Sequence, residues 1–447
     1  MMNFFKPISI SLSPNTEKDD IQLALELIFQ PQKWQEGEKN KQLEEEFKKY
    51  LGIKYAFSFN SGRSSLIAIL NALDIKKDDE ILLQAFTCNA AVNPILARKA
   101  NPVFVDVDDT INMEPEDLKR KITKKSKAVM IQHNFGWPAQ IDKILKIARK
   151  NNLYLIEDCA HSLGAKYSSR TKRENHPAPS LEGAGSSTFQ PCYTSGKVGT
   201  FGDAAFFSFG RDKIISSIFG GMAVTNNEKI AGKIKEFRNK LDFPSNFWIF
   251  QQLLHPILVN YLVLPSYGLN QYLGRVFLAI SHKLLILSKA VYKIEKKGKI
   301  PEYFPKKLPN GLAILALNQF KKLEKFNNHR RKIANFYERE LKNTDFVLPL
   351  AKPLRNRIPT FMRYPILTNL DTDEILTRAR KKKIYLNDGW RKKPIVPPDT
   401  NLEKMKYKLG SCSQAEKIAK SIVNLPTHIN ISEKEAQEII TFLKKEG

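Results

Sequence analysis

Short apolar runs alternating with amphipathic stretches constrain this chain more than any other feature of its sequence. Tyr55–Asn60, Glu80–Gln84, Pro102–Val107, Lys127–Gln132, Leu153–Glu157, Ala204–Phe209 and Gly221–Thr225 each have the length and residue types of a buried strand. Helical patterns fall between them, at Ser64–Leu73 and Ile141–Asn151. Strands that are apolar on both faces need helices on both faces, so the pattern predicts an α/β fold with a mostly parallel sheet. Ligands of such sheets bind beyond the carboxyl ends of the strands. Asp158 and Ser208 fall at or close to such ends.

At 447 residues the chain is too long for one small core, and its 42% hydrophobic and 26% charged content suits a globular protein. The expected organisation is a large α/β domain over residues 1–240, an apolar helical insertion or linker over 241–308, and a smaller C-terminal α+β domain over 309–447. Within the insertion, Pro244–Gly274 contains no Asp, Glu, Lys or Arg. Pro256, Pro265, Asn260, Gln251, Gln252 and His255 interrupt any clean membrane-spanning run. The stretch reads as a buried helical insertion, with an interfacial membrane-docking element flanked by lysines as the alternative. Ser168–Gly196, rich in Ser, Pro and Gly, reads as a long loop beside the site, a candidate lid. Farther on, Asn310–Leu341 is helical, with Arg330, Arg331 and Lys332 assigned to its polar part. Short strands are expected at Phe346–Leu348, Arg363–Leu367 and Ile384–Leu386, and helices at Asp373–Lys381 and Glu433–Lys445.

The formal charge of +26 would attract nucleotide phosphates, nucleic acid or anionic lipid. The lysines are spread along helical segments, however, and no compact nucleic-acid-binding motif accompanies them. Cys88, Cys159, Cys192 and Cys412 are scattered without a C-x-x-C pair, so neither a zinc site nor a disulfide framework is indicated. Met1–Ser13 lacks the apolar core of a signal peptide, and a cytoplasmic location is expected, with peripheral membrane contact through 244–274 as the variant.

The chemistry concentrates in two segments, Ile156-Glu157-Asp158-Cys159-Ala160-His161 and Phe207-Ser208-Phe209-Gly210-Arg211-Asp212-Lys213. A lysine, an acid ending an apolar strand and a serine ending an aromatic strand are the parts needed to hold pyridoxal phosphate. The lysine can form a Schiff base, the acid can keep the pyridine nitrogen protonated, and the serine can take a phosphate oxygen. Gly62 and Arg63 would add backbone N–H groups at a helix N-terminus, where an anion is favoured.

The order and spacing of further segments carry a resemblance. These are Asn60-Ser61-Gly62-Arg63-Ser64, Ala85-Phe86-Thr87-Cys88-Asn89, His133-Asn134-Phe135-Gly136-Trp137-Pro138, Gly199-Thr200-Phe201-Gly202-Asp203, Gly220-Gly221-Met222-Ala223-Val224 and Leu425-Pro426-Thr427-His428. Together with the lysine and acid segments they resemble the DegT/DnrJ/EryC1/StrS aminotransferases, pyridoxal-phosphate enzymes of fold type I. The resemblance implies that Lys213 carries the cofactor and then acts as the base, that Asp158 pairs with the pyridinium, that His161 faces the cofactor O3′, and that Ser208 binds the phosphate. It implies a homodimer, an amino-acid donor such as glutamate, and a nucleotide-linked keto-sugar as acceptor in surface polysaccharide or glycan synthesis. Three positions depart from the pattern. Arg63 replaces a small residue or Thr. Cys88 stands where an aromatic stacks on the ring, with Phe86 expected to point the other way. Pro305–Pro309 lacks the Asn that reaches the partner's phosphate, with Lys307 as a stand-in for the neighbouring Arg. The alternatives are a sugar dehydratase, a branch in which His replaces the Schiff-base lysine, or a non-catalytic, membrane-associated scaffold that keeps the fold.

Overall fold

A computed structural model describes residues 6–168, 195–351 and 356–446. Of the expected Ser168–Gly196 loop, residues 169–194 lie outside the described residues, as does Cys192, while its ends Ser168, Ser195 and Gly196 belong to an antiparallel strand pair. The centre is a seven-stranded sheet of β1 (Tyr55–Phe59), β2 (Glu80–Gln84), β3 (Asn101–Val105), β4 (Ser126–Gln132), β5 (Tyr154–Asp158), β6 (Ala204–Ser208) and β7 (Gly221–Thr225). Their order across the sheet is β1-β7-β6-β5-β4-β2-β3. Only β7 runs against its two neighbours, and the remaining pairs are parallel. The sheet is therefore mixed but mostly parallel, as the apolar runs predict.

Side chains alternate between the two faces, as strand geometry requires. Along β5, Tyr154 and Ile156 enter one core and Leu155 the other; along β6, Phe206 and Phe207 divide the same way. One core lies under helix Gly62–Ala72 and the C-terminal residues, the other under helices Lys39–Leu51 and Asn310–Lys321.

C-terminal segments knit back into the first half. Arg363–Leu367 pairs antiparallel with Ile422–Pro426. Ile384–Tyr385 pairs parallel with Ile8–Ser9, and Ile395–Val396 with Thr87–Cys88. The strand expected at Phe346–Leu348 is reduced to one bridge between Val347 and Leu367. Pro349 follows directly and has no N–H to extend a ladder. Arg330 is not on a polar face. It is 1% exposed, and its Nη2 donates to Asn15 Oδ1 at 2.6 Å and to the Ile214 carbonyl at 2.9 Å.

The charge-free stretch forms helix Asn246–Leu258, a π-helical turn and helix Leu264–Leu269, followed by helix Gln271–Lys283. Asn246–Leu269 is long and apolar enough to cross a membrane, yet 56% of its most apolar window is buried within the protein. Its polar groups are engaged inside. Gln252 Nε2 donates to the Trp248 carbonyl at 2.8 Å, and His255 Nδ1 meets Ser13 Oγ at 3.2 Å. The insertion is thus helical and partly buried within the protein, while Phe247, Tyr261 and Leu269 remain exposed.

Candidate active site

Because β4, β5 and β6 run parallel, their last residues Gln132, Asp158 and Ser208 arrive at one edge of the sheet. The reversal from β6 to β7 is made by residues 209–220 at that same edge, and Lys213 sits in this turn. Gly62 opens the helix after β1, where the Ser61 hydroxyl caps the Ser64 N–H at 3.0 Å. A Cβ on Gly221 would lie 2.5 Å from Gly62 N, so the antiparallel strand can approach this helix end only with glycine there.

These elements enclose a cavity of about 240 Å³. Every residue expected in the site lines it: Gly62, Arg63, Cys88, Asp158, His161, Ser208 and Lys213. Burial lowers the Lys213 amine to about 8, with Arg363 adding to the effect and Cys88 and Asp158 opposing it. Among the described residues the amine forms no hydrogen bond or ion pair. Burial also pushes the Asp158 carboxyl up, against the pull of the Ala160 N–H, Gln132 and Lys213. The N–H of Ala160 donates to Oδ1 at 3.0 Å and Gln132 Nε2 to Oδ2 at 2.8 Å. A carboxyl so placed gains from a cation brought against it.

His161 lies in a turn rather than on a helix one turn after Asp158. The Ser162 N–H bonds to the Cys159 carbonyl, and Gly164 at φ +92° prevents a helix from continuing. Its Nδ1 accepts the Phe135 N–H at 3.3 Å, which leaves Nε2 to carry the proton. Burial, Lys213 and Arg363 hold its pKa well below the ordinary range, so the ring is a neutral donor.

The departures resolve individually. The Arg63 guanidinium pairs with Glu295 at 3.0 Å and donates to the Ala290 carbonyl at 2.9 Å, so its side chain is tied to the insertion. Cys88 caps helix Asn89–Ala97, and burial raises its thiol. Phe86 is absent from the cavity wall, but not because the segment is extended. It adopts φ +44° and packs in the core against Phe135 and Trp390. Lys307 lies over the Phe243 ring at 5.6 Å.

The cavity also holds residues that sequence reasoning did not assign: Gln132, Arg211, Asp212, Arg363, Asp388 and Trp390. Arg363 pairs with Asp388 at 2.6 Å and faces Asp212 at 3.7 Å. Trp390 meets the His161 ring edge-on at 4.8 Å. A charged residue leading the apolar strand Arg363–Leu367 was the one local sign of this half. His133, Glu157 and Cys159 also gather ligand-type atoms within 4.8 Å. Glu157, however, accepts the N–H groups of Gly199, Phe201 and Gly202 at 2.7–2.8 Å, and so holds the turn before β6.

The wall fits pyridoxal phosphate. Among the described residues, the Lys213 amine has no bonded partner and shares the cavity with a buried acid, and Gln132 Oε1 and Arg211 Nε are buried without partners. A Cβ on Gly62 would stand 3.0 Å from Ser208 Cβ and crowd that hydroxyl, so the glycine keeps the helix end open beside it.

A sequence model of the "DegT/DnrJ/EryC1/StrS aminotransferase family" matches residues 15–241 and 296–444, leaving out the stretch that carries the apolar helices. The chain is 25% identical to the GDP-perosamine synthase of Escherichia coli O157:H7 over 87% of its own length and 85% of that protein's. It is also 25% identical to a UDP-N-acetyl-3-dehydro-alpha-D-glucosamine 3-aminotransferase of Acidithiobacillus ferrooxidans, over 96% and 94%. Among solved structures, Helicobacter pylori PseC, an aminotransferase of pseudoaminic acid biosynthesis, superposes with a TM-score of 0.68 at 21% identity, covering 98% of this chain and 99% of that one. The match on both sides of the insertion, together with the lysine, acid and serine gathered at one sheet edge, makes this protein a member of the DegT/DnrJ/EryC1/StrS sugar aminotransferase family, a pyridoxal-phosphate-dependent aminotransferase of fold type I.

Proposed function

We propose that this protein moves an amino group from an amino acid, glutamate by expectation, to a keto group of a nucleotide-linked sugar, in two half-reactions that share one cavity. The observation that carries the reading is the Lys213 amine, without a hydrogen bond or ion pair among the described residues and lowered to about 8, in one cavity with Asp158 and Ser208. Bound at Lys213, the cofactor would supply an electron sink and a temporary store for the amino group. The residues of the chain do the rest. Asp158, held by Gln132 and Ala160, keeps a proton on the pyridine nitrogen. His161, fixed as a donor through Nε2, orients the ring oxygen beside it. Lys213 Nζ, once free, takes the proton from the donor α-carbon and delivers it to C4′. The buried Arg363 guanidinium is suited to a donor carboxylate.

The names of the relatives support a nucleotide-sugar acceptor, since one carries GDP and another UDP. A role in surface polysaccharide or glycan synthesis and a homodimeric assembly complete the proposal. Lys213 weighs against the dehydratase alternative, in which His takes this position. A cytoplasmic enzyme with peripheral membrane contact through 244–274 would use the exposed Phe247, Tyr261, Leu269 and Tyr272. Flotation with anionic vesicles tests that contact, and an insertion-deleted protein that floats equally well would remove it.

The decisive experiment follows the visible absorbance of the cofactor-loaded protein. L-glutamate should bleach the band, and a nucleotide-linked keto-sugar should restore it. A band that ignores glutamate and other amino donors would overturn the transaminase reading.

A further inference from the structure

The family model skips residues 242–295, yet this insertion reaches the cavity, where Ala290 and Val291 form part of the wall. It is fastened there by two arginines of the large α/β region, and the two are held differently. Arg63 is neutralised by Glu295 at 3.0 Å. Arg211 forms no ion pair among the described residues. One end of its guanidinium donates to the Ser288 hydroxyl, and the plane lies over the Phe219 ring at 5.4 Å. Its Nε is buried without a partner.

Ser288 is itself oriented by the insertion. Its hydroxyl donates to Gln252 Oε1 at 2.7 Å, and Gln252 Nε2 is committed to the Trp248 carbonyl at 2.8 Å. The Ser288 oxygen is thus left to accept from Arg211. A chain of bonds from helix Asn246–Leu258 therefore fixes, in the wall shared with Ser208 and Gly62, a guanidinium that has no ion-pair partner among the described residues. Burial lowers its pKa only to about 10, so it keeps its charge at neutral pH. An unpaired buried cation is costly unless an anion completes it.

We propose that Arg211, positioned by Ser288 and Gln252 of the insertion, binds the 5′-phosphate of the cofactor, so that the insertion holds in place a phosphate cation that Pro305–Pro309 does not offer. This rests on the cofactor reading of the cavity. It gives the insertion a task at the site, which its apolar composition does not disclose.

The test compares the affinity of the full-length, cofactor-free protein for pyridoxal phosphate and for pyridoxal, which lacks the phosphate. The visible band formed at Lys213 reports both. The wild-type band with either aldehyde checks the cofactor reading independently of any variant. Arg211→Met should weaken pyridoxal phosphate about ten-fold or more, the scale of one lost charge-assisted hydrogen bond, and leave pyridoxal unchanged. Ser288→Ala should show the same selectivity with a smaller loss, and it keeps the assignment testable if Arg211→Met does not fold. Equal weakening of both aldehydes would make Arg211 a structural residue and overturn the assignment. Unchanged pyridoxal phosphate with weakened binding of UDP or GDP would also overturn it, by giving the cation to the sugar nucleotide.

Discussion

The two halves of the cavity are held in different ways. Gln132, Asp158 and Ser208 end three hydrogen-bonded parallel strands, so the ladder fixes their positions before any side chain is considered. Asp388, Trp390 and Ala290 come from the C-terminal region and the insertion and hold their places through an ion pair, ring contacts and a hydrogen bond, while Arg363 leads a separate two-stranded ladder outside the main sheet. On the proposed reading, the strand-borne half supplies the chemistry common to every substrate. The remote half can change side chain by side chain without disturbing the sheet, and so is the natural place for substrate choice.

The largest test of this contrast is Lys213→Ala. It should abolish the visible band with pyridoxal phosphate and lower turnover by about 10³-fold or more, since nucleophile and base are lost together. Spectroscopy and steady-state assay both report it, and a variant that still forms the band would remove Lys213 from its role. Asp158→Asn should keep the band but slow bleaching by glutamate about 10²-fold, which stopped-flow absorbance measures. A change smaller than ten-fold would mean that the acid does not control the ring.

In the remote half, Trp390→Ala removes a buried ring packed against Phe86, Phe135 and His161. It should cost about 3 kcal/mol in urea unfolding while the band persists. Loss of the band in a folded variant would erase the distinction between the halves. The smallest expected effect is in pH dependence. The neutral amine is the nucleophile, and the Lys213 amine is lowered from 10.5 to about 8. The rate of pyridoxal capture should therefore rise about ten-fold per pH unit below 8 and level off above it. A rise that continues toward pH 10 would show an amine that burial has not perturbed.

Much of the strand-borne half was legible. The strands Glu80–Gln84, Gly221–Thr225 and Arg363–Leu367 occur where their residue patterns place them, because apolar runs between turn residues leave a strand few other ways to be buried. All seven expected site residues line one cavity. Arg330 was misplaced because one charged residue on a long helix gives no local sign that its partners, Asn15 and Ile214, lie far away in the sequence. Phe86 was assigned the correct outcome through the wrong geometry, since a single left-handed residue after a strand is invisible to period-2 reasoning. Arg63 was expected to offer its backbone N–H to an anion, and that its side chain ties down the insertion shows only in the contact with Glu295.

The sequence by itself determined the sheet, the edge at which Lys213, Asp158 and Ser208 meet, and the class of cofactor they can hold, because strand periodicity and strand ends are local properties of the chain. Only the tertiary structure decided that Arg363, Asp388 and Trp390 close the cavity and that the apolar insertion ends against Arg63 and Arg211. Those contacts join residues distant in the chain, and their energy exists only once the intervening chain has folded.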